Sequence, residues 1–192
     1  LIVVPTRELA LQIRDVIVKV GKNRDGLTCN VFIGGMPLQS DIDRLKSCQI
    51  VVGTPGRLRQ LLEDGLMKSS HFKLFIIDEA DQLFLNQEAE TTWFANVLPS
   101  QKQFMAFSAT YPEKLKDKIS NLMKDPETIS MCQGDPVLTG VKQFYALVDQ
   151  PEIADIVEHK IELLSNILSS TTFHQCMIFC NNASRYDDLT TM

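Results

Sequence analysis

Between Leu74 and Phe84 the sequence reads LFIIDEADQLF: four apolar residues run straight into Asp78, Glu79 and Asp81. An apolar strand ending in Asp-Glu places two carboxylates where a strand gives way to a loop. Hard Mg²⁺ favours carboxylate oxygens and keeps several of its waters. Asp78 suits that task on the phosphates of a nucleotide, through water, and Glu79 suits the orienting or deprotonating of an attacking water. A structural reading competes, because negative charge is also favoured at the start of a helix. The acidic knot alone leaves both readings open.

Other short stretches carry residue types suited to anion chemistry. PTREL spans Pro5, Thr6, Arg7, Glu8 and Leu9; Gly34 and Gly35 form a pair; TPGR spans Thr54, Pro55, Gly56 and Arg57; and SAT spans Ser108 to Thr110. A strand-to-helix turn offers unpaired backbone N–H groups to a phosphate. Glycine lets the backbone approach closely, and arginine makes a forked contact. The hydroxyls of Ser108 and Thr110 can donate and accept, although such residues also cap ordinary helices.

The elements that must position these residues alternate along the chain. Leu1 to Val4, Thr28 to Ile33, Gln49 to Gly53, Leu74 to Ile77 and Gln103 to Phe107 are short apolar runs that predict strands. Leu9, Ile13, Val16, Ile17 and Val20 recur at helical spacing, as do Leu58, Leu61 and Leu62. Further helices are predicted at Pro37 to Lys46, Glu90 to Val97 and Pro112 to Met123. This is the pattern of an α/β fold, a parallel sheet covered by helices on both faces. In such sheets functional residues gather at the carboxyl ends of the strands, where each of the motifs falls.

Past residue 131 the chain changes character. Residues 132–140 read as an interdomain linker, CQGDPVLTG. A strand is predicted at Val141 to Val148, a long helix at Glu152 to Leu168 with Ile153, Ile156, Val157, Ile161, Leu164 and Leu168 inward, and another strand at Cys176 to Cys180. The five cysteines, Cys29, Cys48, Cys132, Cys176 and Cys180, form no C-x-x-C pair. They read as reduced packing residues. A net charge of −5 argues against a broad basic surface for duplex nucleic acid. With no run near the roughly 20 apolar residues of a membrane span, a cytoplasmic or nuclear setting and no membrane partner are expected.

Taken in order, PTREL, GG, TPGR, DEAD and SAT resemble the DEAD-box ATP-dependent RNA helicases, and MIFCNN (Met177 to Asn182) is similar to the first characteristic strand of that family's second domain. The resemblance implies a RecA-like domain of the P-loop NTPase type over residues 1–131 and the start of a second RecA-like domain over 141–192. It implies ATP and Mg²⁺ as cofactors, with Asp78 as the magnesium ligand through water and Glu79 as the catalytic carboxylate. Asp81, Ser108 and Thr110 would tie nucleotide state to strand separation. Pro5, Thr6, Arg7, Gly34, Gly35, Thr54, Pro55, Gly56 and Arg57 would face RNA, reading its backbone and shape with little sequence specificity.

Two departures qualify the expected activity. The sequence has no G-x-x-x-x-G-K-[ST] phosphate loop, so the chain is expected to be an N-terminally truncated piece of a helicase, inactive by itself. Asn182, or Asn181, also stands where the family often has Thr. Within the family, VFIGGMPLQSDIDRLKSCQIVVGTPGRLRQLLE and SATYPEKLKDKISNLMKDP are most similar to the member found in the survival-of-motor-neuron (Gemin) complex, which implies ribonucleoprotein-assembly proteins as partners. A non-catalytic RNA-binding or scaffold module is the alternative from another class.

Overall fold

In the computed structural model the described residues are 1–131, 140–148 and 153–181, with the backbone alone for 153–155. The chain divides into two compact units, Leu1–Ile129 and Ser130–Met192.

In the first unit five short strands, β1 (Ile2–Val3), β2 (Cys29–Phe32), β3 (Ile50–Gly53), β4 (Leu74–Ile77) and β5 (Gln103–Ala106), form one sheet in the order β2-β3-β1-β4-β5. Every pairing is parallel, with Ile2 opposite both Val52 and Ile76. Parallel neighbours require crossovers, and six helices belong to this unit: α1 (Arg7–Val20), α2 (Leu38–Leu45), α3 (Pro55–Glu63), α4 (Ala80–Asn86), α5 (Glu88–Val97) and α6 (Glu113–Leu122). All five predicted strands are present within a residue or two of their expected bounds.

Period-two alternation sorts the apolar strand residues between two cores. On one face Val3, Phe32, Val51, Phe75 and Ile77 pack with Leu58 and Leu61 of α3, Leu83 of α4 and Phe94 of α5. On the other, Val4, Val31 and Val52 pack beneath α1, whose Ala10 is buried and whose Leu9, Ile13 and Ile17 close over them. Burying a side chain such as Phe32, Phe75 or Phe94 completely contributes about 2–3 kcal/mol.

Gly53 is required where β3 meets β2 and α3. A Cβ there would lie 2.2 Å from the Phe32 carbonyl oxygen and 2.9 Å from Leu58 Cγ. This close approach lets Thr54 N–H donate to the Phe32 carbonyl at 3.2 Å, which fixes the start of α3.

In the second unit the long helix is present as α7 (Ile153–Ser170), with Val157, Ile161, Leu164 and Leu168 half-buried. The two predicted strands are not formed. Residues 141–148 and 171–180 carry neither helix nor strand, and Phe144, Tyr145, Leu147, Met177 and Phe179 are exposed. A strand needs a partner for its backbone groups, and no neighbouring strand accompanies these segments among the described residues. Cys176 is exposed and Cys180 half-buried, so the core-packing reading fails for Cys176, whereas Cys29 is buried in the sheet. The expected linker, apart from Gly140, and Asn182 lie outside the described residues. No helix among the described residues is long and apolar enough to cross a membrane.

Candidate functional site

Because every strand runs in the same direction, their carboxyl ends form one sheet edge, and each motif begins at that edge. The loops after β1, β2 and β3 build one part of the site. The loops after β4 and β5 build the other. Since β1 pairs with β4, the two parts follow neighbouring strands.

The first part is a cavity of about 650 Å³. Pro5, Thr6 and Arg7 from the first loop, Gly34 from the second, and Thr54, Gly56 and Arg57 from the third all line it. Thr6 is extended and caps α1 by accepting from Leu9 N–H at 3.2 Å, so Arg7 occupies the first helical position. Its exposed guanidinium makes no ion pair or hydrogen bond within the described residues. It lies over the glycine pair: a Cβ on Gly35 would sit 3.0 Å from Arg7 Nη1, and Gly35 has φ +85. Pro55 is buried at the start of α3. There its missing N–H costs no helical bond and its fixed φ favours the first turn.

Arg57 is used differently from Arg7. Its side chain is only 9% exposed and pairs with the fully buried Asp41 of α2, Nη1 to Oδ2, at 2.5 Å. Its Nη2 donates to the Met36 carbonyl at 2.6 Å. The other Asp41 oxygen accepts from Arg44, whose guanidinium also lies 5.6 Å from the centre of the Phe32 ring. Arg57 thus reaches the cavity wall with its charge already matched, and it ties α3 to the segment following Gly35. Reading the sequence for motifs gave Arg57 an outward role and did not find Asp41, because the pairing joins residues 16 positions apart on two helices.

Three further residues line the cavity without having been expected there: Glu8, Gln60 and Gln87. Glu8 follows the motif Arg7 directly on α1, and Gln60 lies three residues past the motif Arg57 on α3. For Gln87, at the junction of α4 and α5, no sequence signal existed.

The second part centres on the start of α4. Asp78 N–H donates to the Val3 carbonyl at 3.1 Å, and Ala80 N–H to the Phe107 carbonyl at 2.9 Å, so the turn is bonded to the last residue of β1 and to the residue that follows β5. Between them Glu79 has φ 52 and ψ 51, a left-handed conformation that a non-glycine residue holds at a cost of about 1 kcal/mol or more. Its side chain caps no N–H of α4, so the capping explanation of this acid does not apply. Asp78 Oδ1 accepts from Glu79 N–H at 2.9 Å, and Oδ2 has no hydrogen-bond partner within the described residues.

Asp81 joins the DEAD and SAT segments. Thr110 Oγ1 donates to Asp81 Oδ2 at 2.5 Å, Gln82 N–H donates to Oδ1 at 2.9 Å, and Asp81 N–H donates to Ser108 Oγ at 3.2 Å. Burial draws the Asp81 pKa upward, but these hydrogen bonds outweigh it and hold the carboxyl below its usual value. Tyr111, whose hydroxyl donates to the Ala106 carbonyl at 3.2 Å, has its pKa raised by burial and by the charge of Asp81.

No group of three or more His, Cys, Asp or Glu side chains is placed to hold a metal among the described residues. One half-exposed carboxylate with a free oxygen fits a cation that keeps its water shell and shares ligands with a phosphate. It does not fit a cation enclosed by protein.

The DEAD/DEAH box helicase family matches residues 1–118. The chain is 42% identical over 192 residues to mouse "Probable ATP-dependent RNA helicase DDX20", covering 98% of this chain and 23% of that protein. It is 35% identical to "ATP-dependent RNA helicase eIF4A" of Phaeosphaeria nodorum, covering 99% of this chain and 47% of that one. It therefore spans less than half the length of either. Among solved structures, a hypothetical ATP-dependent RNA helicase from Sulfolobus tokodaii superposes with a TM-score of 0.60 at 34% identity, over 66% of this chain and 38% of that one. The parallel sheet with its flanking helices is the RecA-like fold of these helicase domains.

Proposed function

The chain belongs to the DEAD/DEAH box helicase family, and from that premise we propose that it is part of an ATP-dependent RNA helicase. ATP hydrolysis would be coupled to local separation of RNA strands or to ribonucleoprotein remodelling. Residues 1–131 form the first RecA-like domain without its phosphate-loop part, 132–140 the linker, and 141–192 the start of a second RecA-like domain. The division of the chain at Ile129–Ser130 supports that organisation. Ribonucleoprotein-assembly proteins as partners and a cytoplasmic or nuclear location belong to the same proposal, and the likeness to mouse "Probable ATP-dependent RNA helicase DDX20" supports its helicase part.

One observation carries the reading: an anion-suited cavity and an Asp-Glu turn meet at one edge of a parallel sheet, after paired strands. In the cavity, Arg7 supplies the unpaired cation, and the backbone at Gly34 and Gly56 is open to close approach by a phosphate. Contacts of this kind position a strand without reading its bases. In the acidic part, Asp78 would hold Mg²⁺ through water, and the ion would neutralise charge on the phosphates of ATP. Glu79 orients the attacking water and receives its proton. Asp81 keeps the SAT segment in register with α4 through Thr110 and Ser108, so a shift in one segment is passed to the other.

The full-length protein carrying this chain should show ATPase activity that depends on RNA and disappears in Glu79→Gln. The 192-residue chain alone, having no G-x-x-x-x-G-K-[ST] segment, should hydrolyse none. RNA binding without hydrolysis by the intact protein would overturn the enzyme reading in favour of a docking module.

A further inference from the structure

Gln87 is the one cavity residue contributed by the α4–α5 junction. Its backbone is fixed at three points. Gln87 N–H donates to the Leu83 carbonyl at 2.8 Å, and the Gln87 carbonyl accepts from Thr91 N–H at 3.0 Å and from Thr91 Oγ1 at 2.8 Å. Thr91 is fully buried, so this junction is anchored in the core. The side-chain amide of Gln87, by contrast, has no hydrogen-bond partner within the described residues. A rigid backbone thus holds a half-exposed amide, bonded to no protein group among the described residues, at the cavity that is also lined by the free cation, Arg7.

A phosphate placed against Arg7 leaves the adjoining sugar as the next polar group along the strand. The ribose 2′-hydroxyl both donates and accepts, as does a glutamine amide, and it is present at every nucleotide whatever the base. A neutral amide also avoids the cost that the nearby Glu8 carboxylate would impose on a second phosphate. We propose, resting on the helicase reading above, that Gln87 recognises the ribose 2′-hydroxyl and so contributes to the choice of RNA over DNA.

Gln87 also caps the far end of α4, the short helix whose second residue is Asp81. Six residues at 1.5 Å each separate them by about 9 Å. The group that reads the sugar is thereby carried on the same rigid element as the carboxylate bonded to Thr110.

The test uses the full-length protein with a non-hydrolysable ATP analogue, a short oligouridylate, the same strand in 2′-deoxy form, and strands with a single 2′-deoxy position. Gln87→Ala keeps every backbone bond of the junction and should melt as the wild type does. It should weaken RNA binding about five-fold, the size of one hydrogen bond, and leave DNA binding unchanged. One single-deoxy strand should bind the wild type more weakly yet match the all-ribose strand in Gln87→Ala, because the two changes remove the same contact. Equal weakening on RNA and DNA, or no weakening on RNA, would overturn the assignment. A wild-type protein that bound neither strand would instead overturn the helicase reading itself.

Discussion

Asp41 and Arg57, on different helices, meet at 2.5 Å with the carboxylate fully buried and the arginine side chain 9% exposed. The same carboxylate also accepts from Arg44. Two cations therefore depend on one acid inside the wall of the cavity, and removing that acid leaves Arg57 desolvated without a counter-charge. Asp41→Ala should cost about 3–5 kcal/mol of stability. Trp93 is the only tryptophan and lies in the first unit, so urea unfolding followed by its fluorescence reads this loss. An unchanged midpoint would show that Arg57 finds water instead.

Because the charge of Arg57 is matched internally, the two motif arginines should differ in their response to salt. Each phosphate neutralised on a single strand contributes about −0.7 to the slope of log affinity against log salt. In the full-length protein Arg7→Ala should make the slope shallower by about that amount. Arg57→Gln should lower affinity with little change of slope. Equal slope changes in a salt titration of RNA binding would mean that Arg57 turns outward when the strand binds.

Two glycines, Gly53 at the end of β3 and Gly56 in α3, should separate folding from binding. Gly53→Ala forces a Cβ against the Phe32 carbonyl and should destabilise the first unit by about 3 kcal/mol. Gly56, in the first turn of α3, has nothing within 4 Å of its would-be Cβ, so alanine there should be neutral or slightly stabilising. Gly56→Ala should nonetheless weaken RNA binding if the strand approaches that backbone closely. Thermal melting and binding isotherms on both variants check the separation.

Asp81 sets a pH dependence at the DEAD–SAT junction. Burial raises its pKa, but the bonds from Thr110, Gln82 and Ser108 depress it overall. A depressed carboxylate contributes stability that is present above its unfolded value of 3.8 and is lost as pH falls through the lower folded value. Thr110→Val removes the first of these bonds and leaves burial less opposed, so the Asp81 pKa should rise. Carboxyl chemical shifts followed by NMR over the acidic range would show the rise, and an unmoved titration would assign the depression to the backbone donors.

The parts that could be read in the sequence were those governed by local pattern. The unbroken apolar runs in Leu1 to Val4 and in Gln49 to Gly53 fit burial on both faces, and both contain strands, with Val3 and Val4, or Val51 and Val52, in opposite cores. The motif spacing brought Pro5, Thr6, Arg7, Gly34, Thr54, Gly56 and Arg57 into one cavity. What could not be read depended on partners remote in sequence. The apolar residues of 141–148 favour a strand but have no neighbouring strand to bond among the described residues. Arg57 has the composition of a phosphate contact, but its fork goes to Asp41 and Met36. Gln87 belongs to no pattern, because its place is set by Thr91 beneath it.

The left-handed backbone of Glu79 has a consequence for how this domain tolerates change. Glycine at that position would adopt φ 52 without strain and would return about 1 kcal/mol to the fold. It would also delete the carboxylate. A screen that rewards thermal resistance alone should therefore recover Glu79→Gly as an improved protein, while a screen for hydrolysis discards it. With the role proposed for Glu79, robustness and turnover are opposed at this residue, and the sequence retains the less comfortable choice.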